Sequence, residues 1–516
     1  MIDSDVLHKN IAALQNRNSR LADELLKQPA GTAYTGYTVS KNGLKIPILA
    51  NGFPTNSLYN PDKEAALQIS EIADKAFVFF AGIGAGFHIE LFLRQHPQSN
   101  CIIFENTLSD YYSVCTLIDL SFILGNSRVT VLTIRDCSNP DWLAHLYVPS
   151  IDGDFHVVYL RPWKEYYRDM VPKLESYITK ALKSISADYS VQAHFGKIWY
   201  RNIVRNLKNA SVSQSAFPEP DTDTQAVVIA AGPSLEEALP LLHAQRANIT
   251  VFSTDTAYPV LFHSGILPDY LVSIDAQSVS AMHIACGLSS AVTVILDLCA
   301  NPVIGDYAVH AGCKVIFAAN SHPLAQYAAR TLGLPGINSG AGTVTFSAID
   351  AAYSMGFTSV HCIGADFAYR KGKAYSRGTY FDEKLLGSSY RLFTDETFWT
   401  TLLFRSEVSR IPEDGSITYT TELLRRYADS CRSYRLDSRW STNDFHRFNF
   451  SSFLQNYIHE LKKALLCEHD KMDFPVSLLP LLAWYTKKEK SRDQQHEMQT
   501  VINLALDLIE GYTEVL

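Results

Sequence analysis

Along most of this chain, short apolar runs alternate with longer stretches whose hydrophobic positions recur at helical spacing. Lys75–Ala81, Asn100–Phe104, Val129–Leu132 and Phe155–Tyr159 read as buried strands. Val6–Leu26, a segment opening at Pro61, and Lys164–Ser184 read as helices. Tyr34–Ile48 alternates around Lys41-Asn42-Gly43 and predicts a small hairpin. Ser211–Thr224 is polar and contains two prolines, the composition of a linker. The alternation then restarts, with strands at Ala226–Ala230, Ile249–Thr254, Tyr270–Ile274, Val292–Leu296, Val315–Ala318 and Ser359–Ile363. Beyond roughly residue 392 the spacing is helical: Thr420–Tyr434, Phe453–Leu466, Leu478–Lys488 and Arg492–Tyr512.

Strands separated by helices imply parallel sheets. The expected fold is α/β, with two Rossmann-like αβ domains and a C-terminal helical region. The expected division is a helix-and-hairpin cap over 1–75, a Rossmann-like domain over 76–210, a central domain over 225–391 and a helical domain over 392–516.

Composition narrows the function classes. With 516 residues, 47% hydrophobic and 19% charged, the chain is ordinary globular protein. A net charge of -8 argues against a nucleic-acid surface over the whole molecule. No apolar stretch is long enough to span a membrane, and the polar start MIDSDVLHKN has no signal-peptide core. Nine cysteines occur singly, without a Cys-x-x-Cys pair, which fits a reduced, cytoplasmic protein without structural zinc.

Two strand ends carry the candidate chemistry. Val227–Ser234 is an apolar run ending in Gly232-Pro233-Ser234-Leu235, followed by Glu236 and Glu237. A strand that stops at glycine and restarts as a helix leaves backbone N–H groups free to hold an anion. Ser359–Gly364 leads to Asp366 and a tyrosine pair, Tyr369 and Tyr375. In a doubly wound sheet both ends point at one crevice. Thr254 with Asp255, and Asp275, close other strands; Ser339, Gly340 and Thr343 form a polar loop. Asp255, Asp275 and Asp366 suit either ligand contacts and general-base work or the ordinary capping of a helix. In the first half, Gly82-Ile83-Gly84-Ala85-Gly86 and Glu105 follow the order strand, glycine loop, helix, strand, acid of a nucleotide-binding unit. Close helix–sheet packing alone also explains those glycines. His283 and His322 lie near strand ends without metal-ligand spacing.

Together, Ala231-Gly232-Pro233-Ser234-Leu235, Gly265-Ile266-Leu267-Pro268-Asp269-Tyr270, Ser273-Ile274-Asp275 and Gly364-Ala365-Asp366-Phe367 resemble the Maf (motility-associated factor) flagellin glycosyltransferases, whose central domain is also called MptE-like. Asn56-Ser57-Leu58-Tyr59-Asn60-Pro61 and Gly82–Gly86 extend the likeness toward the N-terminus. The same core is distantly similar to sialyltransferases that use CMP-sialic acid.

The resemblance implies transfer of a nonulosonic acid (pseudaminic or legionaminic type) from a CMP-activated donor to Ser or Thr of flagellin. No tightly bound cofactor is implied. Gly232, Pro233, Ser234, Leu235, Thr254, Asp255, Ser339, Gly340, Thr343, Tyr369 and Tyr375 would hold the donor, and Asp275 and Asp366 would be catalytic. A histidine base would lie downstream, where this chain has His446, His459, His469 and His496. Archaeal MptE-like proteins imply a second reading, pyrophosphate transfer from ATP to a hydroxymethylpterin, with Mg²⁺ on Asp275 and Asp366. A third is a non-catalytic flagellar accessory protein. The segment from Arg425-Arg426-Tyr427 through Arg435 to Arg439-Trp440 is either a surface for docking flagellin or a solvated basic helix face.

Overall fold

The computed structural model describes residues 4–73, 76–214, 224–413, 416–436, 439–440, 448–466, 474–489 and 494–513. Two compact units divide the chain, Met1–Gln192 and Ala193–Leu516. Each is α/β with a Rossmann-like parallel sheet.

The first unit opens with helices Ser4–Gln15 and Ser19–Leu26. The single helix expected over Val6–Leu26 breaks because Asn18 caps the second one, accepting from the Leu21 N–H at 3.0 Å. The predicted hairpin forms from β1 (Tyr34–Val39) and β2 (Lys45–Leu49). Its turn needs Gly43, which sits at φ +79°. The sheet proper has four parallel strands: β3 (Ala76–Ala81), β4 (Cys101–Phe104), β5 (Val129–Leu132) and β6 (Asp154–Tyr159), in the order β5-β4-β3-β6. Strand periodicity sends Ala76, Val78 and Phe80 into one core and Phe77, Phe79 and Ala81 into the other, so β3 is apolar at every position.

The second unit holds six parallel strands: β7 (Gln225–Ile229), β8 (Ile249–Thr254), β9 (Tyr270–Ser273), β10 (Thr293–Asp297), β11 (Lys314–Ala318) and β12 (Val360–Ile363). Their order is β11-β10-β9-β8-β7-β12. The same alternation divides β7: Ala226 and Val228 face one core, Val227 and Ile229 the other.

Helices dominate the chain after the sheet, as expected, but a small antiparallel sheet is interleaved with the first of them. It comprises β13 (Tyr369–Arg370), β14 (Ser409–Glu413) and β15 (Ser416–Thr420), ordered β13-β15-β14. Strands on both sides of position 392 therefore share one sheet. The helix Val171–Ser213 is also far longer than its predicted Lys164–Ser184 span. Ser211–Ser213, expected in a linker, are its last residues, and 215–223 lie outside the described residues. Among the described residues no helix is long and apolar enough to cross a membrane. The eight described cysteines are free thiols.

Candidate active site

In the second unit, β8 to β11 add on one side of β7 and β12 on the other. The order of addition reverses between β7 and β12, and ligand crevices of open α/β sheets lie at such switch points. The two strand ends are stitched together there. Ala230 N donates to Ile363 O at 2.8 Å, Gly232 N to Gly364 O at 2.7 Å, and Ser376 N to Ala231 O at 2.9 Å. Ser234 N donates to Asp366 Oδ2 at 2.9 Å. Leu235 N turns back to Gly232 O at 3.0 Å.

The glycines follow from this closeness. A Cβ on Gly364, already at φ +72°, would stand 2.0 Å from Ala230 O, and one on Gly232 would stand 2.3 Å from Asp366 Oδ2. Glu236 ties down the returning chain, accepting from Lys373 Nζ at 3.1 Å and Arg377 N at 2.8 Å.

This overturns the expected anion cradle at Gly232–Leu235. Every N–H of the turn is spent inside the protein, Pro233 has none, and a carboxylate stands at its head. The second oxygen of Asp366 lies 3.6 Å from Arg370 Nη1. Asp366 therefore braces the crevice floor.

Beyond that floor is a cavity of about 1130 Å³. Six of the expected residues line it: Gly232, Thr254, Thr343, Asp366, Tyr369 and Tyr375. Pro233, Ser234, Leu235, Asp255, Asp275, Ser339 and Gly340 are not in its lining. Of the three aspartates expected to converge, Asp366 is in the lining, and Asp255 and Asp275 lie behind it as neighbours of each other. Asp255 Oδ1 accepts from Thr256 N at 2.7 Å and its Oδ2 from Ser273 Oγ at 2.7 Å, so it holds a turn. Asp275 Oδ1 accepts from Gln277 N at 2.9 Å. Burial raises the Asp275 carboxyl above the usual carboxylate range, and neighbouring Asp255 adds to the shift. Ser339 and Gly340 belong to a loop bonded within itself, Gly340 N to Asn338 Oδ1 at 3.0 Å and Gly342 N to Ser339 O at 2.9 Å.

Two details set the cavity apart. Thr254 is buried, yet among the described residues its Oγ1 has no hydrogen-bond partner. Buried hydroxyls are seldom left unpaired without cause. Phe367, just after Asp366, adopts φ +47°, a conformation rare for a bulky side chain and concentrated at functional sites. The phenol of Tyr375 stacks on Phe381 with centroids 5.0 Å apart. Burial raises its pKa, Tyr369, Asp255 and Tyr427 add to the shift, and Arg405 opposes it. It therefore stays protonated, a hydrogen-bond donor.

Residues after the sheet complete the lining, among them Arg405, Arg425 and Tyr427. Residues 392–420 carry no motif that announces this. The cause is the small sheet: β13 pairs Tyr369 with Tyr419 of β15, and Thr420 Oγ1 donates to Phe367 O at 3.0 Å. The helix Glu422–Arg432 starts two residues later, at the cavity wall. The remaining aromatics of the Arg425–Trp440 segment are spent internally. Tyr434 OH donates to Asp350 Oδ1 at 2.8 Å, Trp440 Nε1 to Gly336 O at 2.6 Å, and Trp440 is buried in the core. Arg425, Arg426, Arg435 and Arg439 are exposed. Of the downstream histidines, His459 and His496 are exposed and neither lines the cavity, while His446 and His469 lie outside the described residues.

The first unit repeats the topology with another outcome. Its order reverses between β3 and β6. The Gly82–Gly86 loop there is packed by the protein's own side chains: a Cβ on Gly82 would stand 2.5 Å from the Trp163 ring, and one on Gly84 would stand 2.6 Å from Leu160. Glu105, placed by spacing as a ribose acid, is fully buried. It accepts from Ile83 N at 2.8 Å, Tyr34 OH at 2.6 Å and Trp163 Nε1 at 2.7 Å. Burial nonetheless pushes its carboxyl up to about 7. Here the packing account of the glycines holds.

A family model described as 6-hydroxymethylpterin diphosphokinase MptE-like matches residues 198–372. That span contains the floor of the cavity and stops short of Tyr375, Arg405 and Arg425. An uncharacterized protein of Treponema pallidum (strain Nichols) is 39% identical over 164 residues, 32% of this chain and 78% of the relative. Another from the same organism is 29% identical over 257 residues, 50% of this chain and 89% of its own length. Among solved structures, a Maf glycosyltransferase from Magnetospirillum magneticum AMB-1 is similar with TM-score 0.56 and 14% identity, covering 98% of this chain and 90% of that one. At that identity the likeness is one of fold.

Proposed function

From the match of residues 198–372 to the MptE-like family and the fold shared with a Maf glycosyltransferase, we propose that the chain is a glycosyltransferase moving a nonulosonic acid from a CMP-activated donor to Ser or Thr hydroxyls of flagellin. One observation carries the reading: an open cavity at the β7–β12 switch point, containing the unpaired buried hydroxyl of Thr254. A nucleotide has the hydroxyl, carbonyl and amine groups to partner it.

In this reading Thr254 and Thr343 contact the nucleotide. The phenols of Tyr369 and Tyr375 donate to the departing phosphate, stabilising charge that develops as the sugar leaves. Asp366 is a positioning residue, since both its oxygens are engaged by Ser234 and Arg370. Deprotonation of the acceptor falls to Glu407 or Glu422, carboxylates at the cavity wall without such engagements among the described residues.

The test is mass spectrometry of flagellin incubated with the protein and a CMP-nonulosonic acid, beside a parallel incubation with ATP, Mg²⁺ and hydroxymethylpterin. The expected result is a flagellin mass increment of one sugar residue in the first and no pyrophosphorylated pterin in the second. The reverse pattern would establish the diphosphokinase. The carboxylates suit that chemistry poorly: Asp366 lines the cavity and Asp275 does not. Among the described residues, no three His, Cys, Asp or Glu side chains are grouped to hold a metal ion.

A further inference from the structure

We propose that the phosphate of the nucleotide donor is gripped by Arg405 and Arg425, side chains from beyond the parallel sheet, and that the glycine turn takes no part in holding it. The inference rests on the donor-binding reading above and deepens it.

The turn is the usual place for a phosphate in such sheets, and here it is closed to one. Its N–H groups are committed, and the Asp366 carboxylate stands where the phosphate would go. A second anion there would face like charge. The cation nearest that carboxylate, Arg370, is occupied with it at 3.6 Å.

The arginines that line the cavity are Arg405 and Arg425. Both are exposed, and among the described residues neither forms an ion pair or side-chain hydrogen bond. Arg405 follows the helix Asp395–Leu403, whose Trp399 ring lies 6.4 Å from that of Tyr375. Arg425 is on the helix that starts where Thr420 is tied to Phe367. Both cations therefore belong to segments anchored at the strand end that carries the tyrosines, and guanidinium groups suit phosphate oxygens. Tyr375, which feels Arg405 electrostatically, lines the same cavity as a neutral donor. The region after the sheet is thus a wall of the donor site, besides anything it does for an acceptor.

Calorimetric titration of the full chain with CMP and with cytidine separates phosphate from base and ribose. Wild type should bind CMP about tenfold or more tightly than cytidine, with the difference shrinking as salt rises. Arg405→Ala with Arg425→Ala should remove most of the preference for CMP, leaving only what the tyrosine phenols supply, with cytidine binding and Tm unchanged. Arg426→Ala, the exposed neighbour outside the lining, should behave as wild type. A double variant that keeps the full wild-type preference for CMP would overturn the arginine assignment and leave the donor reading standing. Wild type with no preference for CMP would also overturn it. Wild type that binds neither probe would overturn both.

Discussion

The two units of this protein pose one structural problem and solve it differently. Each has a parallel sheet whose strand order reverses beside its first strand, and each follows that strand with a glycine turn. Each braces the turn with a carboxylate from a neighbouring strand end: Glu105 on Ile83 N, Asp366 on Ser234 N. In the first unit β6 leads into Leu160 and Trp163, whose side chains fill the switch point. In the second, β12 leads into Asp366, Phe367 and a strand pairing with a distant hairpin, and the space stays open at about 1130 Å³. A glycine turn after a strand thus reports close approach of backbone, and the segment that continues from the partner strand decides whether a ligand fits.

One added methyl group in the second unit should do the most damage. Gly364→Ala sets it 2.0 Å from Ala230 O at φ +72° and should cost more than about 4 kcal/mol in urea denaturation. A loss under about 1 kcal/mol would mean that the strand ends are not stitched as described. Trp163→Ala in the first unit should cost about 3–5 kcal/mol, from the cavity it leaves and the lost donor to Glu105.

Glu105 supplies a pH test of comparable size. Its folded pKa of about 7 lies above the ordinary value of 4.5, so the folded state binds the proton more tightly than the unfolded one. Its contribution is therefore full below pH 4.5 and declines as pH rises through 7, by about 3 kcal/mol in all. Buried His88, lowered to about 4, pulls the other way between pH 6.5 and 4. The quantity to measure is the difference in slope between wild type and Glu105→Gln: the variant should lack the decline between pH 4.5 and 7. Parallel profiles would show that Glu105 is not held in the folded state as described.

A smaller effect is expected from Asp366→Ala, which leaves the Ser234 N–H without its acceptor and should cost about 1–3 kcal/mol. Asp366→Asn keeps an acceptor for Ser234 and should cost less. If Asp366→Asn abolishes transfer with stability and CMP affinity unchanged, Asp366 is catalytic and its positioning role is wrong. The smallest stability change belongs to Thr254→Val. It removes a hydroxyl with no partner and should leave stability within about 1 kcal/mol while weakening CMP binding about tenfold.

Much of this is legible in the sequence where chemistry is local. Apolar runs locate the parallel strands, Asn42-Gly43 the hairpin, and the ends of β7 and β12 the crevice. The features that escape depend on pairing across distance. Nothing near the turn says that the Gly232 N–H is consumed by Gly364 and the Ser234 N–H by Asp366, more than 130 positions away. Arg405 and Tyr427 reach the cavity only because β15 pairs with a two-residue strand, too short for periodicity to reveal. Asp255 and Asp275 resemble ligands because strand-end aspartates do either job, and only the structure shows each accepting from the backbone of its own turn.

If the second crevice takes a nucleotide and the first does not, a crystal of the protein soaked in millimolar CMP should show it. One nucleotide should lie at the ends of β7 and β12, with a polar atom on Thr254 Oγ1 and its phosphate toward Arg405 and Arg425. A nucleotide at Gly82–Gly86, or an empty second crevice at that concentration, would refute this division between the units.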